Sequence, residues 1–181
     1  MEAVKKLQAF DGDVFRSDPA IMTQWRQSFS HFQSTVELIE VETVTLIKTA
    51  FDKNLSSSAN AFNLLENFKN IDTRPMIKEE IKDKYEKVLE QYQKELINMD
   101  ELFELNHKNP PIPKNMPENS GAIVWSRSII KRVKTPIEQF KTKEGMLTQW
   151  KTGKAVAKKY VQLAKKLADD YETYKYTVWK N

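Results

Sequence analysis

The sequence predicts an all-α protein, an elongated bundle of long helices joined by a proline-rich crossing. Two observations carry this. Apolar residues recur at steps of three and four over long stretches, with no alternating strand pattern and no repeat of 20–50 residues. Four of the seven prolines, Pro110, Pro111, Pro113 and Pro117, fall within nine residues, where fixed φ angles and missing N–H donors forbid a helix interior.

The elements follow in order. Residues 1–16 read as irregular, with a short helix at most. Ser17-Asp18-Pro19 is a helix start, with Asp18 as cap and Pro19 at the first helical position. From there Trp25, Phe29, Phe32, Val36, Ile39, Thr43, Leu46 and Ala50 recur at alternating steps of four and three, an apolar seam expected to pack along its whole length. Leu55 to Ser58 breaks the pattern. A short helix follows with Ala59, Phe62, Leu65 and Phe68 on one side. Asn70 to Arg74 is a turn, and Pro75 restarts a helix to about His107. Its stripe is Ile77, Ile81, Tyr85, Val88, Tyr92, Leu96, Met99 and Phe103, with pairs such as Glu80 with Lys84 expected on the exposed face. After the crossing, Gly121 to Phe140 reads as helix, which Pro136 should kink or end near Thr135. The last helix runs from about Thr152 to Trp179, striped by Val156, Tyr160, Leu163, Leu167, Tyr171, Tyr174 and Val178. The organisation is thus residues 1–107 as an N-terminal bundle portion, 108–120 as the crossing, and 121–181 as the C-terminal helices.

The net charge of +4 hides an asymmetry. Residues 1–107 hold 13 Lys+Arg against 19 Asp+Glu, a net of −6, and residues 108–181 hold 16 against 6, a net of +10. Packed together, the halves partly neutralise each other; alternatively, the basic half meets an acidic partner. With no cysteine there are no disulfides and no thiolate chemistry. No apolar run approaches the roughly 18 residues of a membrane span, and the mixed, charged first ten residues are no signal peptide.

Chemistry-bearing motifs are weak. His31 and His107 are far apart and outside any ligand spacing. Lys151-Thr152-Gly153-Lys154-Ala155 fails as a phosphate loop, because Ala155 stands where a hydroxyl must hold Mg²⁺ and no strand precedes; it reads as a turn opening the last helix. The buried stripes are expected to carry no carboxylate or histidine, which leaves an enzyme site without its groups. The lysines of the last helix and its tyrosines fall on different faces, so no nucleic-acid surface is expected. No cofactor, metal site, nucleic-acid partner or membrane contact is predicted.

The crossing itself reads NPPIPKNMPENSGAIVWSRSIIKRV over 109–133. It resembles the signature crossing in the N-terminal tail, or stem, of dynein heavy chains, approximately NPPL-Y-RNMPPVAGAI-W-AR-LL-RI. Further pieces are similar: Phe62-Asn63-Leu64-Leu65-Glu66-Asn67-Phe68, then Arg74-Pro75-Met76-Ile77-Lys78-Glu79-Glu80, and Gly153-Lys154 through Tyr160, Leu167, Tyr171-Glu172 and Trp179. Glu118-Asn119-Ser120 stands where the family has Pro-Val-Ala, and the overall style is similar to axonemal rather than cytoplasmic dynein.

The resemblance implies a non-catalytic scaffold: a fragment or short product of the tail, with the ATPase ring and microtubule-binding stalk far downstream. It implies partners among a dynein intermediate chain, light or light-intermediate chains and a neighbouring heavy-chain tail. It also implies a place in the cytoplasm and cytoskeleton, in the axoneme of a cilium or flagellum. The crossing residues are Pro110, Pro111, Ile112, Pro113, Asn115, Met116, Pro117, Gly121 and Trp125, with Ile112, Met116 and Trp125 expected to anchor it. Partner contact is expected from Arg127, Lys131, Arg132, Lys158, Lys159 and Lys166, by attraction to an acidic surface. A different class of reading is a stand-alone helical adaptor recruiting an SH3-like partner through the PxxP of Pro110 to Pro113.

Overall fold

The structure is a computed structural model that describes residues 2–8 and 18–180. It is an all-α bundle, with no strand among the described residues. Its helices are α1 (Glu2–Gln8), α2 (Pro19–Asn54), α3 (Ser58–Glu66), α4 (Pro75–Asn106), α5 (Glu118–Phe140), α6 (Lys151–Lys165) and α7 (Thr173–Lys180). A 3₁₀ turn, Lys69–Ile71, leads into α4, and a π-helical turn, Lys166–Glu172, joins α6 to α7. The irregular stretch expected before Asp18 lies mostly outside the described residues.

Local chemistry starts and stops these helices. The Asp18 carboxylate accepts the Ala20 amide at 2.9 Å, with Pro19 in the first turn. At α3 the Glu95 carboxylate on α4 takes over the capping role, accepting the Ser58 amide at 2.8 Å and its hydroxyl at 2.6 Å. Pro75 opens α4, as its missing N–H is harmless there.

Helix α4 is the axis. Ile77, Ile81, Tyr85, Val88, Leu89, Tyr92, Leu96 and Phe103 are buried along it, and α2, α3, α5 and α6 all pack on it. The core runs from Ile47 and Phe51 on α2, through Phe62 and Leu65 on α3, to Trp125, Ile129, Val133, Ile137 and Phe140 on α5 and Val156, Leu163 and Leu167 beyond. At its centre Phe140 meets Phe62 at 5.3 Å and Tyr92 at 5.2 Å, in the tilted and edge-on geometries that ring quadrupoles favour. Burial raises the phenol pKa of Tyr85 and of Tyr92, so both stay neutral donors.

Four differences from the sequence reading have physical reasons. First, Ile47 and Phe51, not Ile39 and Leu46, face the core from α2. A strict four-three alternation has a period of 3.5, and a straight helix drifts about 20° per heptad against it. Three heptads beyond Trp25, Leu46 has turned outward. The bundle contacts of α2 thus belong to its C-terminal part, while Trp25, Phe29 and Phe32 stack on one another further up.

Second, Pro136 does not end α5 near Thr135; the helix continues to Phe140. Proline offers no amide to the Arg132 carbonyl, but the next carbonyl, of Val133, accepts the buried Tyr92 hydroxyl at 2.6 Å. Third, the π-helical turn shifts the phase of the last helix, leaving Tyr174 and Val178 of the expected stripe exposed. The Ser126 hydroxyl donates to the Leu167 carbonyl within that turn, at 3.1 Å.

Fourth, charge does enter the interior. Glu40 is buried and pairs with Arg74. Glu80 and Lys84 pair at 3.1 Å as expected, but Lys84 is buried against the Phe51 ring and Glu80 also holds Lys48 at 3.4 Å. These pairs link α2 to α4 and its entry, and each buried member has a partner of opposite sign.

Candidate structural crossing and partner surface

The crossing leaves α4 at Asn106 and enters α5 at Glu118, three residues before Gly121. It is fixed at both ends. At the first, the Tyr171 hydroxyl donates to the His107 carbonyl at 3.0 Å. Burial, and then the nearby Glu118 carboxylate, raise the Tyr171 pKa. Its ring stands edge-on to Phe103 at 5.1 Å and to Trp125 at 6.2 Å, and Trp125 stacks on Phe103 at 5.7 Å with 16° between planes. Trp125 is 9% exposed and closes this aromatic box.

At the second end Ile112 lies directly on Gly121. A methyl built on Gly121 would overlap Ile112 Cγ2 and come within 3.1 Å of Cγ1 and 3.2 Å of Cβ. A side chain at 121 would therefore lift the crossing off α5. Between the ends, Asn115 turns the chain with φ of 70°, a left-handed conformation that asparagine tolerates better than bulky residues.

Of the expected anchors, Trp125 is buried and Ile112 half-buried, but Met116 is 36% exposed and is not a core residue. The prolines divide as well: Pro110 is buried, whereas Pro111, Pro113 and Pro117 are exposed. A PxxP ligand must offer both prolines to its groove. With Pro110 buried, the adaptor reading loses its site. Ser126 and the Tyr171 hydroxyl are structural groups that the sequence did not single out. Ser126 does sit at helical spacing among Ala122, Trp125 and Ile129, a polar residue on an apolar face, which is a signal for a buried hydrogen bond.

The turn between α5 and α6 has a similar logic. Gly145, with φ of 74°, lets its carbonyl accept the Gln149 amide at 2.7 Å. The Met146 carbonyl presses on Gly153 so closely that a Cβ there would overlap it. Gly153 is thus a packing glycine in the first turn of α6, in accord with the sequence reading that rejected a phosphate loop.

The six candidate partner-binding residues separate into two groups. Lys166 bonds to Asp100 at 2.6 Å and to Glu104, and lies 5.3 Å over the Phe103 ring. That hydrogen bond and charge lower the Glu104 pKa. For Lys166 burial opposes the charge, but Asp100 and Glu104 outweigh it and raise the ammonium pKa. Arg127 pairs with Glu172 at 3.1 Å. Both charges are engaged within the chain, one linking the last helix to α4 and the other linking it to α5. Lys131, Arg132, Lys158 and Lys159 form no ion pair among the described residues. They are not one patch. Arg132 borders a groove of about 430 Å³ with Ser56, Tyr92 and Glu95, and Lys159 borders another with Leu96, Ile97 and Asp100, on the other flank of α4.

Comparison with known proteins gives a consistent picture. The sequence model of the family described as dynein heavy chain, N-terminal region 1, matches residues 1–181. Similar proteins include the dynein gamma chain of the flagellar outer arm of Chlamydomonas reinhardtii, 27% identical over 97% of this chain and 4% of the relative. Mouse dynein axonemal heavy chain 8 is 29% identical over 87% of this chain and 3% of its own length. The dynein-1-alpha heavy chain of the flagellar inner arm I1 complex of Chlamydomonas reinhardtii is 33% identical over 78% of this chain and 3% of its own. The chain thus spans a few hundredths of the length of these relatives.

Proposed function

Because this chain belongs to the dynein heavy chain N-terminal region 1 family, with flagellar and axonemal relatives, we propose that it is a non-catalytic scaffold segment of a heavy-chain tail. In that reading residues 1–107, the crossing 108–120 and residues 121–181 act as one mechanical unit of an axonemal motor. It holds shape, passes force along the tail and presents side chains to an intermediate chain, to light or light-intermediate chains, or to a neighbouring tail.

The observation that supports this best is the way the crossing is held. Trp125, Phe103 and Tyr171 fix its start, Ile112 on Gly121 fixes its end, and a 32-residue α4 is thereby coupled to the 23-residue α5 along one core. Pulling on either helix loads packed side chains and not a slack loop. The basic residues left without an internal partner, Lys131 and Arg132 on α5 and Lys158 and Lys159 on α6, are those we assign, as two separate patches, to acidic partner surfaces.

The test is co-purification with a dynein intermediate chain at low and at moderate salt. Retention that weakens with salt and is lost on Lys131→Glu/Lys158→Glu/Lys159→Glu supports the assignment. Salt-insensitive retention, or retention by the charge-reversed variant, refutes it.

A further inference from the structure

Helix α2 has a second apolar face, turned away from the bundle. Leu38, Ile39, Val41 and Leu46 are 66%, 53%, 50% and 59% exposed. At 100° per residue they fall within one sector, on the side opposite Ile47 and Phe51. Thr35, Thr45 and Thr49 share that sector. Their hydroxyls each donate to the carbonyl four residues back, on His31, Val41 and Thr45, at 2.9 Å. Hydrogen bonds that turn the hydroxyls inward along the helix leave the threonine methyls to the outside. The result is an aliphatic strip roughly 21 Å long from Thr35 to Thr49, on a helix whose other face is already packed.

The charges on and beside it that lack a partner are acidic, since Lys48 at its edge is held by Glu80 at 3.4 Å. Between Arg26 and Lys48 there is no lysine or arginine, while Glu42 stands within the strip and Glu37 at its edge. Glu40, on the inner side, is occupied by Arg74, but Glu37 and Glu42 form no ion pair among the described residues. An isolated helix face of this kind gains from a partner that supplies both an apolar stripe and cations. We propose that the outer face of α2 docks an amphipathic helix of another polypeptide, one that carries Lys or Arg beside its apolar residues. The surface is separate from the basic residues of α5 and α6 and takes a partner of opposite charge, so the proposal stands whether or not those residues bind an intermediate chain.

The test uses the 181-residue chain with isotope-labelled methyl groups, titrated with a synthetic helix of about 18 residues, long enough to hold helical structure. This probe has leucines at three-four spacing flanked by lysines; a matched peptide has glutamates in place of the lysines. The expected result is movement of the Leu38, Ile39, Val41 and Leu46 methyl signals with the lysine peptide and not with the glutamate peptide. Glu37→Lys/Glu42→Lys, two exposed positions that leave the core untouched, should weaken binding about tenfold or more. Shifts centred elsewhere, equal binding of the two peptides, or no binding at all would overturn the proposal. Sedimentation without peptide gives a further check. If the chain associates with itself and Leu38→Ser/Leu46→Ser abolishes this, a second copy covers the strip and the assignment of a basic helix is wrong.

Discussion

Replacing Gly121 by alanine isolates the contact that seats the crossing. In a helix with free space outside it, Gly→Ala stabilises by up to about 1 kcal/mol, because alanine loses less backbone freedom. Here the new methyl overlaps Ile112 Cγ2 and crowds Cγ1 at 3.1 Å and Cβ at 3.2 Å. Isoleucine is β-branched and stiff at χ1, so it yields poorly. Overpacking of this kind costs about 1–3 kcal/mol, and the net effect should be a loss of about 1–2 kcal/mol. Ile112→Ala alone removes a half-buried side chain and should cost about 1–2 kcal/mol, below the full range for a buried isoleucine. In that background Gly121→Ala should change sign and stabilise by up to about 1 kcal/mol. The pair therefore couples by about 1–3 kcal/mol, above the scatter of independent sites. Urea unfolding of the four proteins measures this, provided the midpoint moves at constant slope. If Gly121→Ala stabilises both backgrounds equally, Ile112 does not lie on Gly121 and the account of the crossing fails.

Three other perturbations examine the rest of the framework. Trp125→Ala should destabilise by about 3–5 kcal/mol in the same unfolding assay, since it empties the aromatic box around Phe103 and Tyr171; a loss under about 1 kcal/mol would mean the ring is not buried. Tyr92→Phe should cost about 0.5–1.5 kcal/mol by removing the buried bond from its hydroxyl to the Val133 carbonyl, and an unchanged midpoint would show that this bond contributes nothing to stability. Lys166→Gln should move the Glu104 carboxyl midpoint, followed by carboxyl carbon shifts, up toward the ordinary glutamate range. Glu104 is held below that range when folded, so its contribution to stability is present above the unfolded pKa and fades as pH falls through the folded one. Acidification should therefore loosen the link between α4 and the last helix in the native chain, and Lys166→Gln should remove that pH dependence.

Helix type, order and most of the core are legible in the residues because the 3.6-residue period of burial is strong along α4 and α5, where packing covers one face continuously. The family is legible in the crossing for another reason: its prolines and Gly121 are backbone requirements, which leave a literal trace in the sequence. What fails to show is phase. The α2 seam follows heptad spacing correctly at Trp25 and has drifted by Leu46, and no propensity marks the π-helical turn that displaces Tyr174 and Val178. The internal engagement of Lys166 and Arg127 is equally hidden. Each finds its acid from 45 to 66 residues away in the chain, and such pairing depends on a helix register that periodicity gives only to within about one residue.

The hydrogen bonds that join the helices also bear on the order in which the chain assembles. The Tyr85–Glu66 bond closes a span of 19 residues, Tyr92–Val133 and Ser126–Leu167 close 41 each, Tyr171–His107 closes 64, and Gln139–Asn63 closes 76. Each doubling of a free loop adds only about 0.6 kcal/mol of closure entropy, so the longest span is disfavoured against the shortest by roughly 1.2 kcal/mol. Chain length thus imposes a shallow ranking, and a preformed link can reorder it. Once Ile112 sits on Gly121, α4 and α5 are already side by side, and the docking of Tyr171 on His107 no longer has to close an open loop of that size. A short, stiff join between two helices thereby makes the distant C-terminal segment a near neighbour before it folds.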